Sequence, residues 1–402
     1  MTAPTLLFPP GTVPRVLFLC QDAALVQSQL AGETLSEGAA GPLRDDVSTD
    51  EITPVHILSY YDARLGRFAY TGFTASGVQP IAAGALQAGG FSVTVAGRRY
   101  GKGSSREHSP AAEKLAGVRL VGAESSARSY RRSADNHGLF TSTDMGLVPR
   151  LLRGEPVTVE ELLHGRDDLA AAIQRAGGLL GLGQTHLQGT RAAEPAQDAG
   201  PQTLFEKILT RHALATPVTP SAPQPGQGGF VRADWRFIHE YYTGMAAHML
   251  HEKLGRPLAL HQSQSIVVFE DHTSYMDESP AHLRGGLLPN MQAMCQAQRD
   301  FVAAYGLREH RTLTDAEAAL DDGSNLAGIS HAMMAEHYAL PGQVIVGTDS
   351  HTPHSGALGC VAFGVGTTDM ANALVTGAVR ITMPECLRVE LNGTLPPGLT
   401  AK

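Results

Sequence analysis

Apolar and polar positions along this chain follow two different periods. Runs with helical periodicity include 160–163 and 168–176. Short apolar runs of strand length lie at 16–19, 91–95, 118–121, 265–269 and 343–346. Because short buried strands alternate with helices, the pattern predicts an α/β protein with largely parallel strands.

The character of the sequence changes near residue 190. Residues 189–200 are polar and irregular, whereas a new helical pattern begins at Thr203. We therefore expect a first domain over residues 1–188, a linker over 189–202 and a second domain over 203–402. A chain of 402 residues is long enough for roughly two to three domains.

Two buried strands predicted in the second domain end in polar clusters. Asp271 and His272 follow one strand, and Asp349 and His351 follow the other. Open α/β sheets bind ligands at the carboxyl ends of their strands, and an Asp beside a His can orient the imidazole and raise its proton affinity. The pattern favours acid–base chemistry at this edge. His331, near a short helix, is either a third member or a buried histidine with satisfied hydrogen bonds.

Residues 101–108, Gly-Lys-Gly-Ser-Ser-Arg-Glu-His, form a predicted turn between a strand and a helix. Ser104 and Ser105 would then lie at a helix N-terminus, where free N–H groups favour anions. The guanidinium of Arg106 suits a carboxylate. The turn is therefore either a carboxylate-binding loop or an ordinary serine-capped helix with a surface arginine.

Composition and charge argue against a nucleic-acid-binding, secreted or membrane protein. Hydrophobic residues make up 43% of the chain and charged residues 17%, with a formal net charge of -8. This balance argues against nucleic-acid binding as the main task. The first 14 residues lack the features of a secretory signal, and we find no apolar stretch long enough to span a bilayer. We expect a cytoplasmic protein without membrane contact.

The sequence has four cysteines, at positions 20, 295, 360 and 386. They are widely separated and form no Cys-x-x-Cys pair, so neither a disulfide scaffold nor a zinc ribbon is indicated. Their apolar neighbours favour buried, inert thiols over metal ligands. We therefore assign no metal-binding residue.

The motifs together resemble the aconitase superfamily of iron–sulfur hydro-lyases, which includes the isopropylmalate and homoaconitate hydratases. In the first domain the resemblance rests on 101–108, on Thr49-Asp50 with Ile52, and on Ser126-Ala127-Arg128 with Asn136 and Gly138. In the second domain it rests on Thr203–Lys207, Asp271-His272, Gly328–His331 and Gly347–Thr352.

This resemblance implies a fold and a reaction. The first domain is expected to be an aconitase-like swivel domain, and the second a three-layer α/β/α domain like the first domain of aconitase. The swivel domain comes first here, whereas aconitase carries it last. The implied activity is that of a hydro-lyase acting on a hydroxy di- or tricarboxylate, such as citrate, isocitrate, or an isopropylmalate or homocitrate analogue. The implied cofactor is a 4Fe-4S cluster.

The resemblance also implies roles for individual residues. Ser105 would be the base, Ser104 and Arg106 would bind a substrate carboxylate, and His272, oriented by Asp271, would protonate the departing hydroxyl. The remaining implied members of the site are His331, Asp349, His351, Asp50, Arg64, His239 and Ser350. Arg64 is equally compatible with a surface arginine.

The sequence departs from the family in one respect. The family holds its cluster through cysteines in a Gly-Ser-Cys-Thr-Asn type motif and a later Cys-x-x-Cys, and neither motif occurs here. One hypothesis is that this chain is the N-terminal portion or one subunit of a hydro-lyase, with the cysteines supplied by a further segment or a partner subunit. The other is a cluster-free carboxylate-binding or regulatory protein that has lost the chemistry.

Overall fold

The structure is a computed structural model. It describes residues 5–103, 106–186, 191–192, 200–274, 281, 284–285, 291–325 and 328–400. We call residues 5–186 the N-terminal part and residues 200–400 the C-terminal part. The expected division of the chain at residues 189–202 stays a prediction.

A four-stranded parallel sheet forms the centre of the N-terminal part, with its strands in chain order. The strands are Val16–Phe18, Val93–Ala96, Leu120–Ala123 and Phe140–Ser142. A short antiparallel pair, Leu6–Phe8 with Val157–Thr158, lies apart from this sheet. The parallel strands are buried at nearly every position, as expected where helices cover a sheet.

The helices of this part are mostly short. They are Ala23–Leu30, Thr49–Ile52, Ala85–Gly89, His108–Leu115, Arg128–His137, Leu147–Leu152, Val159–Leu163, Asp168–Arg175 and Leu179–His186. Several start at a polar cap. For example, Ser48 and Glu51 form a capping box at the start of Thr49–Ile52.

A five-stranded parallel sheet forms the centre of the C-terminal part. In spatial order its strands are Arg308–His310, Ile266–Phe269, Trp235–His239, Val344–Gly347 and Val361–Gly364. After the central strand Trp235–His239, the next two strands in the chain are added on one side of it. The last two strands, Val344–Gly347 and Val361–Gly364, are added on its other side. Trp235–His239 and Val344–Gly347 therefore flank a topological switch point, where α/β sheets bind ligands.

A second, antiparallel sheet and a set of helices complete the C-terminal part. The sheet has the order Ala378–Thr382, Gly228–Arg232, Ala213–Ala215, Arg191–Ala192. The helices are Leu204–His212, Glu240–Leu254, Met291–Tyr305, Asp315–Ala318, Ser330–His337 and Thr367–Thr376. A 3-10 helix runs over Thr352–Leu358. The α/β fold class expected from the sequence is confirmed.

Buried polar contacts join the two parts. Asp369, which is 1% exposed, accepts hydrogen bonds from Arg132 at 3.0 Å and from Asn136 at 2.8 Å. Glu107 accepts from both the backbone N–H and the hydroxyl of Thr368. Because Glu107 directly precedes the helix His108–Leu115, these contacts fix the start of that helix against the C-terminal part.

None of the helices in the described ranges combines the length and the apolar character that crossing a membrane requires.

Candidate active-site crevice

A crevice of about 540 Å³ opens at the carboxyl ends of the central strands of the five-stranded sheet. Residues from both parts of the chain line it: Val55, Leu58, Arg106, His239, Tyr241, Tyr242, His272, Thr348, Asp349, Ser350, Gly364 and Val365. It lies at the topological switch point of this sheet. A guanidinium, two imidazoles and a carboxylate therefore face one crevice.

A slightly larger cavity of about 580 Å³ lies within the N-terminal part, beside Arg150 and Arg166. Two of the three arginines that line it are paired, Arg150 with Glu161 at 2.9 Å and Arg166 with Asp135 at 3.1 Å. All of its lining residues come from the N-terminal part, and it does not lie at the switch point of the five-stranded sheet. We therefore place the chemistry in the crevice.

Arg106 lies on the N-terminal side of the crevice. Its Nη1 donates to the backbone oxygen of Thr53 at 3.1 Å and forms a short ion pair with Asp50. The Arg106 side chain is 10% exposed, whereas that of Asp50 is 56% exposed. Arg106 has five N–H donors, so Asp50 can hold it in place while other donors bind a substrate carboxylate. Asp50 is thus brought to the site through Arg106.

His239 and His272 lie side by side on the opposite side of the crevice. Their rings stack with centroids 4.4 Å apart and 18° between the planes. Burial, with a smaller contribution from His272, holds the pKa of His239 well below its usual value. His239 is therefore a neutral imidazole, and the more exposed His272 is the one that can contact a ligand.

The expected pairing of Asp271 with His272 is wrong in this structure. Asp271 Oδ2 lies 4.0 Å from His272 Nδ1, too far for a hydrogen bond. It accepts instead from the backbone N–H and the hydroxyl of Ser330, at 3.2 and 2.5 Å. A carboxylate at a helix N-terminus stabilises that terminus. Asp271 therefore fixes the start of Ser330–His337 and with it the position of His331.

His331, Asp349 and His351 form a second cluster beside the crevice. Asp349 Oδ1 lies 3.2 Å from His331 Nδ1 and 3.6 Å from His351 Nδ1. The same oxygen accepts the backbone N–H of His351 at 2.8 Å. Asp349 is 5% exposed, so its carboxylate is held almost out of water. Ser350 lines the crevice next to it.

One described residue that the sequence assigned to the site lies away from it. Arg64 lies on the surface, where it pairs with Asp62 at 2.8 Å, and its side chain is 64% exposed. The structure therefore does not support it as a substrate clamp. Ser104 and Ser105 lie outside the described residues, and their roles stay predictions.

Sequence reasoning missed Tyr241 and Tyr242, which line the crevice directly after the His239-Glu240 pair. It also missed the contact of Glu107 with the C-terminal part. Tyr241 and Tyr242 lie in the first turn of the helix Glu240–Leu254, which directly follows the central strand Trp235–His239. Their position at the end of a buried strand could have identified them as site residues. The Glu107 contact spans 261 positions of the chain, so no local pattern indicates it.

The cysteines do not fit a 4Fe-4S cluster. Cys20 contacts the backbone oxygen of Phe18, and Cys295 contacts Thr273. Cys360 contacts the backbone oxygen of Leu340. The expectation of a buried thiol is wrong for Cys386, which is exposed and contacts the hydroxyl of Thr203. Each thiol thus lies against a different segment, and burial raises the pKa of Cys20 and of Cys295 to about 11. Thiols that lie in four separate places cannot hold one cluster together.

Comparison with known proteins gives two matches to family models. The aconitase family (aconitate hydratase) matches residues 206–402, and the aconitase C-terminal domain matches residues 80–143. The chain belongs to the aconitase superfamily. The two matches occur in the order expected from the sequence, with the domain that is C-terminal in aconitase placed first.

Curated relatives of this aconitase-superfamily chain include large subunits of 3-isopropylmalate dehydratase. The large subunit 1 of Pyrococcus furiosus is 29% identical over 204 residues, which is 50% of this chain and 42% of that protein. The Sulfurisphaera tokodaii large subunit is 32% identical over 194 residues, 48% of this chain and 39% of that protein. The chain thus spans about two fifths of the length of these relatives.

Among solved structures, 3-isopropylmalate dehydratase (LeuD) from Methanocaldococcus jannaschii is 27% identical. The match covers 34% of this aconitase-superfamily chain and 86% of that protein, with a TM-score of 0.25.

Proposed function

We propose that this chain forms part of a hydro-lyase that removes and re-adds water on a hydroxy di- or tricarboxylate. The observation that carries the proposal is the crevice itself. Arg106 from the N-terminal part faces His272 and Asp349 from the C-terminal part across one volume of about 540 Å³. A cation for a carboxylate opposite proton-transfer groups is the arrangement that such a reaction requires.

Arg106 binds a substrate carboxylate in this proposal. Carboxylate binding beside the carbon that loses a proton makes that proton more acidic, because the arginine stabilises the negative charge that develops on the carboxylate. Ser105, one residue before Arg106 in the chain, takes the proton. Its alkoxide form needs the same positive surroundings, and the sequence predicts that Arg106 and a helix N-terminus supply them.

His272 delivers the second proton, to the departing hydroxyl. Its ring is packed against the neutral His239, which holds the ring in place without competing for the proton. His331, Asp349 and His351 hold the departing water and the substrate hydroxyl, with Ser350 as a further contact.

The chemistry of a 4Fe-4S cluster, which family membership implies, is Lewis-acid activation of the substrate hydroxyl. The cysteines of this chain do not fit such a cluster, so no step is derived through one. In this proposal a further segment or partner subunit supplies the cysteines. A small hydroxy-carboxylate is the substrate. The cytoplasmic location and the absence of nucleic-acid binding stay predictions from composition.

We expect Ser105→Ala to lower turnover by at least about 100-fold, because a positioned general base typically contributes 10²–10⁴-fold. The measurement is the ultraviolet absorbance of the unsaturated product, with the full chain and the cysteine-bearing partner after anaerobic iron–sulfur reconstitution. Ser36→Ala is the matched control, since Ser36 is exposed and its side chain makes no cap hydrogen bond. Near-normal turnover of Ser105→Ala would rule out its role as the base. Substrate binding without any turnover in the unmutated enzyme would favour the carboxylate-binding alternative.

A further inference from the structure

The cavity of about 580 Å³ in the N-terminal part lies at the carboxyl ends of two strands. We call it the N-terminal cavity, and its wall includes Ser126, Arg131, Thr141, Ser142 and Arg166. The parallel strands Leu120–Ala123 and Phe140–Ser142 end beside it. Open α/β sheets bind ligands at this end of their strands, and the volume is within the roughly 300–1,000 Å³ typical of small-molecule sites. The cavity therefore has the position and the size of a binding site.

Arg131 is the cation of this wall that lacks a counter-ion. Within the ranges that the structure describes, its guanidinium donates to no oxygen and pairs with no carboxylate. Arg150 and Arg166, in contrast, are paired with Glu161 and Asp135. Burial, followed by the charge of Arg166, lowers the pKa of Arg131, although two nearby carboxylates act in the opposite direction. An anion beside Arg131 would satisfy its donors and offset the repulsion from Arg166.

Two hydroxyl groups of the wall can donate to a ligand. Thr141 is 5% exposed, and its Oγ1 accepts from Arg166 Nη2 at 2.9 Å. The O–H of Thr141 itself has no acceptor in the described part of the chain. The hydroxyl of Ser126 likewise contacts no hydrogen-bonding atom of a described residue. Both hydroxyls line the same cavity as Arg131, so three unused donor groups face one volume.

The helix Arg128–His137 begins at the wall of the cavity, two residues after Ser126. Its N-cap is Ala127, whose methyl side chain cannot accept a hydrogen bond, so the first backbone N–H groups have no side-chain cap. The N-terminus of a helix favours negative charge, and phosphate groups are often bound there. These N–H groups add to the donors of Arg131, Ser126 and Thr141.

The acidic side chains of the wall, Asp144 and Glu161, already have partners. Glu161 accepts from Arg150 at 2.9 Å and from the hydroxyl of Thr158 at 3.1 Å. Asp144 accepts the backbone N–H of Gly146 at 2.9 Å. The hydrogen-bonding capacity that the wall leaves for a ligand is therefore mainly in donors, which suits an anion.

We infer that the N-terminal cavity binds a small phosphate monoester, with its phosphate group between Arg131, Ser126 and Thr141. A phosphate offers three acceptor oxygens and a carboxylate only two, and the donors here come from a helix, the loop before it and a strand end. The guanidinium fork suits phosphate oxygens. Leu147 and Leu162 give the organic part of the ligand an apolar surface. The cavity and the crevice share no lining residue, so this inference does not rest on the proposed function.

The test is calorimetric titration of glycerol 3-phosphate into the full chain, with malate as the carboxylate counterpart. We expect saturable binding of glycerol 3-phosphate at one site. Arg131→Ala should weaken it by roughly 10- to 100-fold, as expected for losing hydrogen bonds to a charged group, and Ser126→Ala by about 2- to 10-fold. Arg67→Ala is the matched control, because it removes an exposed arginine of the N-terminal part that does not line the cavity. Arg106→Ala, which alters the crevice, should leave this binding unchanged.

Circular dichroism and thermal unfolding show whether each variant is folded. Arg131→Lys is a second variant, which keeps the charge but loses the fork, and we expect an affinity between those of Arg131→Ala and the unmutated chain. Equal affinities of Arg131→Ala and Arg67→Ala, or no saturable binding to the unmutated chain, would overturn the inference. Binding that is lost in Arg106→Ala and kept in Arg131→Ala would place the ligand in the crevice and overturn it as well. Malate that binds through Arg131 more tightly than glycerol 3-phosphate would contradict the choice of a phosphate ester.

Discussion

Asp369→Ala is expected to lower the free energy of unfolding by about 3 kcal/mol, the lower end of the range for breaking a buried ion pair. Asp369 is 1% exposed, and its two oxygens accept from Arg132 and Asn136 of the N-terminal part. Removing the carboxylate leaves Arg132 without this partner. It also removes a negative charge that favours the charged form of the buried Arg380. The lower end of the range applies because the Arg132 side chain is still 32% exposed to solvent.

Urea unfolding monitored by circular dichroism measures this change. Glu160→Ala is the matched control, because Glu160 forms an ion pair with Arg175 at 2.6 Å in which both side chains are more than half exposed. Surface pairs of this kind contribute at most about 1 kcal/mol. Equal losses of stability in the two variants would contradict the assignment of Asp369 as the anchor between the two parts.

Glu113→Gln is expected to change how stability depends on pH. Glu113 is fully buried, and it accepts hydrogen bonds from the hydroxyls of Tyr70 at 2.5 Å, Tyr100 at 2.6 Å and Tyr130. Burial raises the pKa of its carboxyl from 4.5 to about 7, although the three tyrosine hydroxyls act in the opposite direction. The folded chain therefore keeps a proton that the unfolded chain loses at lower pH.

The sign of the effect follows from proton linkage. Between pH 4.5 and about 7 the unfolded state binds fewer protons than the folded state at this group, so its contribution to stability falls as the pH rises. The fall amounts to about 3 kcal/mol across the window. A glutamine cannot ionise, so in Glu113→Gln this part of the pH dependence should disappear.

Unfolding free energies at a series of pH values from below 4.5 up to 8 test this expectation, with Glu160→Gln as an exposed control. Below pH 4.5 the unfolding free energies of Glu113→Gln and of the unmutated chain should depend on pH in the same way. A slope between pH 4.5 and 7 that is the same in Glu113→Gln and in the unmutated chain would show that Glu113 does not carry the effect.

Much of the fold follows from local sequence patterns. The runs at 118–121 and 343–346 became the strands Leu120–Ala123 and Val344–Gly347, each shifted by one or two residues. The helix expected from Thr203 onward begins at Leu204, with Thr203 and Glu206 forming its capping box. These elements depend on buried strand runs and caps, which are signals that lie within a few residues of one another.

The candidate site was predictable where it depends on strand ends. His272, Asp349 and Ser350 line the crevice because they follow central strands of the same sheet. The partner of Asp271 was not predictable in this way. Its adjacency to His272 suggested a pair, but the carboxylate binds Ser330, which is 59 positions away.

The contacts between the two parts of the chain were also beyond sequence reasoning. The pairs of Asp369 with Arg132 and of Glu107 with Thr368 span more than 200 positions. The three tyrosine side chains around Glu113, which come from three different segments, were not predictable from local patterns either. Neither helical nor strand periodicity records which elements pack together, because packing is decided by the whole fold.

The central claim is that Arg106 and the C-terminal part enclose a site for a hydroxy-carboxylate, and calorimetric titration of citrate and isopropylmalate into the full chain tests it most directly. We predict that Arg106→Ala weakens binding of the preferred ligand by about 10- to 100-fold, as expected for losing hydrogen bonds to a charged group worth about 1.5–3 kcal/mol. Arg64→Ala, at an exposed arginine outside the crevice lining, should bind like the unmutated chain. Equal affinity of the Arg106→Ala and Arg64→Ala variants would contradict the claim.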